Sequence, residues 1–300
     1  MPDFLRLFLG TILLRPYVFL FLVVYLIAGA TQIGWRRTLL YLPLGFGIAW
    51  FSEYGSTHWG IPYGDYYYIP ATIREELWIA GVPFMDSLSY VFLSYCSYSM
   101  AIFLLSPILF SKGNVFVLET HRVRQSWQTL LLGSFLFVFL DIIIDPVALQ
   151  GHRWFLGQIY GYRENGIYFG IPMSNFIGWL LVGLVMIAAL QLLDRWPALE
   201  PKRSTAFHAI PGIALLGPIL YVSVLLFNIA ITFWIGEMLL ATVDCLLILF
   251  PSLLVFFFTI YKQTHFTSDS LTRHMADFAE SKPAPTKVPN PRARMQQAEC

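Results

Sequence analysis

Charged residues are scarce in this chain: Asp, Glu, Lys and Arg make up 12% of its 300 residues, while 57% are hydrophobic. Soluble globular domains carry roughly 25% charged residues. This deficit excludes an ordinary soluble domain and predicts an integral membrane protein. The lipid bilayer is therefore an expected partner. The formal net charge is only +1 at pH 7, so we expect no nucleic-acid partner.

Residues that hold cofactors are also few. The three cysteines, Cys96, Cys245 and Cys300, are too scattered for a disulfide framework or a Cys-x-x-Cys metal site. The six histidines form none of the closely spaced clusters that hold a di-iron centre. The sequence also lacks a glycine-rich dinucleotide motif after a strand and a serine nucleophile elbow. We therefore expect redox-neutral chemistry without a metal or another cofactor.

Long apolar segments dominate what is present. A helix that crosses a bilayer needs roughly 20 mostly apolar residues. The pattern predicts an all-α polytopic membrane protein with about seven spans in one transmembrane domain, residues 1–265. A tail rich in proline and charge, residues 266–300, is predicted to be disordered. The predicted spans are 16–33, 38–54, 82–110, 127–147, 172–193, 210–231 and 234–261.

The distribution of positive charge predicts the orientation. Only five of the 19 Lys and Arg residues lie on the side of the N-terminus and the loops after spans two, four and six. The others lie on the opposite side, and short loops rich in Lys and Arg face the cytoplasm. We therefore expect a multi-pass protein of the cell's inner (plasma) membrane with a cytoplasmic C-terminus.

Two segments rich in glycine, proline and aromatic residues, 53–70 and 141–179, interrupt the apolar pattern. Both place polar groups at the ends of apolar spans, where such groups are costly and usually functional. Irregular backbone at membrane depth survives only when it is buried in protein or lines a cavity. We expect aromatic re-entrant or interfacial loops that cover a site. A Gly-aliphatic-Pro step recurs at Gly60, Gly81 and Gly170, either as simple loop-to-helix junctions or as a trace of two related halves.

Carboxyl groups in these segments are the candidate catalytic residues. Asp141 and Asp145 are four residues apart, so they share a helix face, and only isoleucines separate them before Pro146 ends the span. A carboxyl group in apolar surroundings beside a second one tends to stay protonated, as a general acid must be. The alternative is a structural pair at a helix end. Glu53 and Asp65 are candidates for holding a water molecule, with an interfacial anchor as the alternative for Glu53.

The other candidates offer ring faces and one amide to a bound substrate. An aromatic belt at the membrane surface, and an interhelical hydrogen bond for the amide, are the structural alternatives. These candidate substrate-binding residues are His58, Trp59, Tyr63, Tyr66, Trp154, Tyr168, Phe169, Asn175 and Trp179.

The order of these motifs resembles the carotenoid biosynthesis membrane protein family, which includes carotenoid 1',2'-hydratases, also called γ-carotene 1'-hydroxylases, and bisanhydrobacterioruberin hydratase. The resemblance covers about residues 51–179. It implies a carotenoid or related isoprenoid substrate, contact with other carotenoid enzymes, and addition of water to the terminal C1–C2 double bond of a ψ end group. The matching motifs are Glu53-x-x-Gly, Gly60-Ile-Pro-Tyr-Gly-x-Tyr-x-Tyr68, Gly81-Val-Pro83, Asp141-x-x-x-Asp-Pro-Val-Ala148, Trp154 and Tyr168-Phe-Gly-Ile-Pro-x-Ser-Asn-Phe-x-Gly-Trp179.

The candidate residues also suit alkene hydration when the family resemblance is set aside. Protonation of the alkene at C2 leaves a tertiary cation at C1, which aromatic faces stabilise until water attacks. Asp141 or Asp145 would supply the proton, and Glu53 or Asp65 would hold the water. Three other functions fit the same chain: a lycopene cyclase that excludes water, a UbiA-like prenyltransferase, and a lipid- or carotenoid-binding or transport protein. The prenyltransferase would need a second acidic motif for Mg²⁺ and basic residues for the pyrophosphate.

Overall fold

The computed structural model describes residues 2–111, 114–196, 199, 212–264 and 267–278, and it confirms an all-α polytopic membrane protein. Within these residues, six helical segments are long and apolar enough to cross a membrane. They are Pro16–Trp59, Phe84–Leu105, Trp127–Ala148, Met173–Arg195, Ile213–Trp234 and Met238–Lys262. Predicted spans one and two together form the first segment, and the start of predicted span six, residues 210 and 211, lies outside the described residues.

The described residues form α-helices joined by loops and short strands. The helices are α1 (Pro2–Leu14), α2 (Pro16–Gly29), α3 (Trp35–Trp59), α4 (Phe84–Leu105), α5 (His121–Arg124), α6 (Trp127–Ala148), α7 (Met173–Arg195), α8 (Leu216–Trp234), α9 (Met238–Thr264) and α10 (Ser268–Asp277). The strands are β1 (Tyr66–Tyr68), β2 (Trp78–Ile79), β3 (Val82–Pro83), β4 (Ile108–Ser111), β5 (Asn114–Val117) and β6 (Tyr160–Tyr162).

The 44-residue first segment is a hairpin of α2 and α3. A π-helical turn over Ala30–Gly34 ends at Gly34, whose φ of 93° is a conformation that favours glycine. Beyond the turn the chain folds back, and the hydroxyl group of Tyr25 donates to the carbonyl oxygen of Thr38 at 2.7 Å. The start of α2 and the end of α3 consequently lie at the same end of the bundle. Among the described residues the structure therefore has six candidate spans, and this hairpin stands where the sequence predicts two separate spans.

Helix α4 lies at the centre of the bundle and α9 at its edge. In their most apolar stretches, 78% of the α4 residues but only 6% of the α9 residues are buried. Buried serines on α4, including Ser87, Ser94 and Ser97, explain its position, because small side chains let neighbouring helices approach closely. Helices α3, α6 and α8 pack around α4. The large apolar side chains of α9, by contrast, face outward, as expected for a helix in contact with lipid.

Connecting segments close the end of the bundle where α3 and α6 finish. Strand β1 pairs antiparallel with β6, although the two are far apart in the sequence. The guanidinium group of Arg15 binds the carboxylate of Glu76 at 2.9 Å and the carbonyl oxygen of Leu156, and both charged side chains are buried. This ion pair joins the start of α2 to the loops before β2 and before β6. Helix α6 also differs slightly from the prediction, because it passes through Pro146 and ends at Ala148.

The opposite end of the bundle is held by a buried ion cluster. Arg124 binds Asp194 at 3.1 Å and Glu119 at 2.5 Å, and Arg37 binds Asp194 at 3.2 Å. Helix α10 packs against this cluster, with His274 Nδ1 2.7 Å from the carbonyl oxygen of Glu119. Helix α10 lies within the segment that the sequence predicts to be a disordered tail, and disorder of that tail stays a prediction. The rest of that tail, 279–300, lies outside the described residues.

Candidate functional site: an acid cavity under a tyrosine ribbon

One cavity of about 140 Å³ lies inside the bundle at the end closed by β1 and β6. At roughly 10–15 Å³ for each water position, it has room for on the order of ten waters. Side chains from α2, α3, α4, α6, α7 and α8 line it. We call it the acid cavity, because its lining includes the carboxyl groups of Glu53, Asp86, Asp141 and Asp145.

A ribbon of two strands, β1 and β6, covers the acid cavity with tyrosines. Cross-strand neighbours are Tyr66 with Tyr162 and Tyr68 with Tyr160. Side chains alternate between the two faces of a strand, so all of these rings lie on one face. That face lines the cavity, whereas the intervening Tyr67 is exposed on the other side.

Glu53 and Asp86 form the first carboxyl pair. Oε2 of Glu53 accepts a hydrogen bond from the hydroxyl group of Tyr68 at 2.8 Å, and Oε1 accepts from Tyr90. The same Tyr68 hydroxyl group also binds Oδ2 of Asp86. A phenol has a single O–H, so it can donate to only one of these carboxyl groups. The other must carry a proton of its own to complete the second hydrogen bond.

Asp141 and Asp145 form the second carboxyl pair, joined by the side-chain amide of Asn175. Nδ2 of Asn175 lies 2.7 Å from Oδ2 of Asp141 and 3.2 Å from Oδ2 of Asp145. Asp145 also accepts hydrogen bonds from Tyr160 and, at 2.6 Å, from Tyr162. With three donors around it, Asp145 has the environment of an ionised carboxylate. Among the described residues, Oδ1 of Asp141 has no hydrogen-bond partner.

The charge around the acid cavity is one-sided. Its lining, as far as the structure describes it, contains neither Lys, Arg nor His. The nearby Arg15 is already paired with Glu76. Burial, reinforced by the neighbouring carboxyl groups, raises the pKa of Tyr68, Tyr160 and Tyr162 well above the usual value. These hydroxyl groups consequently remain protonated donors at neutral pH.

An aromatic wall completes the acid cavity. The ring of Trp179 stacks on Tyr90, with 4.7 Å between centroids and 21° between planes. Tyr63 lies 6.1 Å from Trp179 and also lines the cavity, whereas Phe137, 4.6 Å from Trp179, packs outside the lining. Negative ring faces attract cations, so this wall is suited to a short-lived positive charge on a bound hydrocarbon.

The structure brings most of the sequence-predicted site residues into the acid cavity. Glu53, at the end of α3, lies across the cavity from the paired aspartates at the end of α6. Tyr66 reaches the cavity because side chains alternate along β1. Asn175 and Trp179 are four residues apart on α7, so they share its cavity face, and Trp154 lies in the turn after α6. The predicted residues that line the cavity are Glu53, Asp141, Asp145, Tyr63, Tyr66, Trp154, Asn175 and Trp179.

Five predicted site residues lie outside the acid cavity, so the structure does not bring them together with the others, and their functional role stays a prediction. Asp65 and His58 are exposed, and the His58 ring stacks on Tyr54 at 3.9 Å. The side chain of Trp59 is 64% exposed and that of Phe169 is 37% exposed. Tyr168 is half-buried beside Phe169, away from the lining. His58 and Trp59 lie in the last turn of α3, and the other three lie in connecting segments; the sequence does not reveal which way these side chains point.

Several cavity residues escaped the sequence interpretation, namely Asp86, Tyr68, Tyr90, Tyr160 and Tyr162. A signal for most of them was present. Asp86 occupies the first turn of a membrane span, the same kind of position that singled out Asn175. The alternating Tyr66-Tyr-Tyr68 and Tyr160-Gly-Tyr162 patterns are typical of strands with one buried face. Their pairing with each other, however, depends on the tertiary fold.

Fold and cavity together define a polytopic membrane protein that gathers carboxyl groups and aromatic rings in a cavity at one end of its helix bundle. The family model for carotenoid biosynthesis proteins matches residues 10–251, so the chain belongs to that family. Its place is therefore in carotenoid biosynthesis, at a membrane and with a hydrophobic isoprenoid substrate. Neither the curated proteins nor the solved structures gave a match.

The described residues contain no group of three or more His, Cys, Asp or Glu side chains arranged to hold a metal ion. The expectation of cofactor-free chemistry rests on the sequence and stays a prediction.

Proposed function

We propose that this protein is a carotenoid 1,2-hydratase, a redox-neutral hydro-lyase that adds water across the terminal C1–C2 double bond of a ψ end group. The proposal rests on one observation: two carboxyl pairs and an aromatic wall lie together in one capped cavity. Alkene hydration needs a proton donor, a cation-stabilising surface and a proton acceptor beside a water molecule. The acid cavity offers all of these without a cofactor.

We assign the proton donor to Asp141. Its neighbour Asp145 already accepts three hydrogen-bond donors, as an ionised carboxylate does, whereas Asp141 accepts one, from Asn175. Transfer of the Asp141 proton to C2 uses the alkene π electrons to form the new C–H bond. A tertiary cation remains at C1, facing the Trp179 and Tyr90 rings.

The carboxyl pair of Glu53 and Asp86 supports the second half of the reaction. A water oxygen attacks C1, and its surplus proton passes to whichever member of this pair is ionised. The alkene has then gained one water, Asp141 has lost a proton, and the Glu53–Asp86 pair has gained one. Water molecules in the cavity, which borders both carboxyl pairs, would return the proton from the Glu53–Asp86 pair to Asp141.

The competing functions make different demands on the same cavity. A lycopene cyclase would share the first protonation but yield a ring without added oxygen. A prenyltransferase would need cations to bind a pyrophosphate, and the described lining supplies none. A carotenoid-binding or transport protein would release its ligand unchanged.

Pigment analysis separates these functions. Expression in a host that makes lycopene or γ-carotene should give products heavier by one water for each modified end. The added oxygen should come from isotopically labelled water. Incorporation of oxygen from labelled O₂, a product isomeric with its substrate, or unchanged pigment would each contradict the hydratase proposal.

A further inference from the structure

The acid cavity has a second, apolar limb that the proposed chemistry leaves unused. It is lined by Tyr17, Val18 and Phe21 of α2, by Phe92 and Leu93 of α4, and by Val224 and Phe227 of α8. Trp154 and Leu156, from the loop after α6, lie beside these side chains. The lining between α2 and α8 is mostly apolar, with Asn228 of α8 as its polar side chain.

Aromatic rings extend this limb to the outer surface of the bundle. Tyr17 stacks on Phe227, with 5.1 Å between centroids and 21° between planes. Phe155 lies 5.6 Å from Tyr17, and Trp234 lies 6.1 Å from Phe155. The side chain of Phe155 is 48% exposed and that of Trp234 is 66% exposed. A chain of ring contacts thus connects the cavity interior with exposed rings on the outer surface of the bundle.

We propose that this aromatic cluster, made of Tyr17, Trp154, Phe155, Phe227 and Trp234, is the lateral portal through which the polyene of the substrate enters. The inference rests on the proposed function, because it assumes a long hydrocarbon whose end group reaches the carboxyl pairs. A cavity of about 140 Å³ holds an end group but not a whole carotenoid. The remaining chain must leave the cavity through an apolar opening.

The portal is the only part of the described lining that suits such a chain. The opposite side is closed by the ribbon, whose tyrosine hydroxyl groups are committed to Glu53, Asp86 and Asp145. Displacing them would leave buried carboxyl groups unpaired, which costs far more than moving apolar rings apart. Stacked rings can instead slide against a flat conjugated chain and keep their contacts. The stacked pair of Tyr17 and Phe227 should therefore select long polyenes over short terpenoids.

Equilibrium binding of two radiolabelled ligands tests this portal. One ligand is an acyclic carotenoid, and the other is a short acyclic terpenoid with the same end group. Full-length protein carrying Asp141→Asn prevents turnover during the measurement. Addition of Phe227→Ala should raise the Kd of the carotenoid about tenfold, as expected for the loss of one aromatic contact, and leave that of the short terpenoid within about twofold.

Phe233→Ala is the matched control, since Phe233 is an exposed ring on the same helix and does not line the cavity. It should change neither Kd. If Phe227→Ala does not accumulate in the membrane, Phe227→Leu keeps most of the apolar volume and should give the same selectivity in weaker form. If the parent protein binds carotenoid but Phe227→Ala raises the Kd of both ligands equally, or of neither, the portal proposal is wrong. A parent protein that binds neither ligand would overturn the proposed substrate class and the portal together.

Discussion

The hydroxyl group of Tyr68 lies 2.8 Å from Oε2 of Glu53, so a residue of the surface ribbon hydrogen-bonds a carboxyl group of a membrane-spanning helix. Through this contact, the ribbon acts as both cover and hydrogen-bond donor for the acid cavity. Because Tyr68 also contacts Asp86 and has only one O–H to donate, one of the two carboxyl groups must carry a proton of its own. The arrangement leads to specific expectations for variants on the two faces of the ribbon.

Replacing Tyr68 by Phe should disable the Glu53–Asp86 pair. The ring remains, but a buried acceptor loses its donor, which lowers the free energy of unfolding by about 1–3 kcal/mol. Hydration should fall at least about tenfold, since about 1.4 kcal/mol of lost transition-state stabilisation corresponds to that factor. Tyr67→Phe is the control, because Tyr67 is exposed on the opposite face of the ribbon. Equal activity of the two variants in a pigment assay would contradict the role of Tyr68.

Replacing the paired aspartates tests the proton donor. Asp141→Asn and Asp145→Asn should each leave membrane protein levels normal but reduce conversion by roughly 10²–10⁴-fold, the usual cost of removing a general acid or its partner. Asn preserves size and polarity, so a purely structural role would survive the change.

The matched control for the aspartates is Asp65→Asn, which alters an exposed carboxyl group outside the cavity and should retain conversion. Near-normal turnover by both cavity variants would show that the pair is structural. The donor would then be sought at Glu53 or Asp86.

Gly178 marks a contact that a methyl group should break. A Cβ at this position would lie 2.7 Å from the backbone carbonyl oxygen of Pro62 and 2.6 Å from the ring of Tyr63. Gly178→Ala should therefore displace the loop that carries Tyr63 and destabilise the protein by about 1–3 kcal/mol, as overpacking does. Thermal unfolding of purified protein measures this change. Gly47→Ala serves as the control, because a Cβ there meets nothing within 4 Å, and equal stability of the two variants would contradict the contact.

Alkaline pH should destabilise the ribbon through its tyrosines. Burial, followed by the charge of Asp145, raises the pKa of Tyr160 and Tyr162 above their unfolded value of about 10. A raised pKa means that the protonated hydroxyl groups stabilise the fold fully below about pH 10, and that this contribution is lost as pH rises toward the folded-state pKa. Unfolding temperatures measured across this range should fall. The fall should be shallower for Tyr162→Phe, and an identical pH dependence would contradict the assignment.

Membrane orientation is the last expectation, and it rests on the Lys and Arg distribution. A reporter fused after Phe278 should be active in the cytoplasm. Arg37 and Arg124, two of the residues behind this expectation, are buried in ion pairs with Asp194, so they hold the helices together as well as contributing charge. Reporter activity on the other side of the membrane would place the acid cavity toward the cytoplasm.

The amino-acid sequence by itself determined the membrane class, the approximate spans and eight of the residues that line the acid cavity. Hydrophobic length is a property of contiguous residues, so 127–147 and 172–193 were readable as spans without any tertiary contact. The same holds for Asp141 and Asp145, whose shared helix face follows from a spacing of four. Glu53 and Trp179 stood out because polar and aromatic residues at span ends are conspicuous against an apolar background.

Only the tertiary structure decided which loop side chains reach the acid cavity. Tyr66 and Tyr67 are adjacent in the sequence, yet one is buried and the other exposed, because side chains alternate along a strand. That strand exists only through its pairing with Tyr160–Tyr162, more than ninety residues away. Local sequence carries no record of such a partner, since the hydrogen bonds that define the ribbon form only after α3 and α6 have brought their ends together.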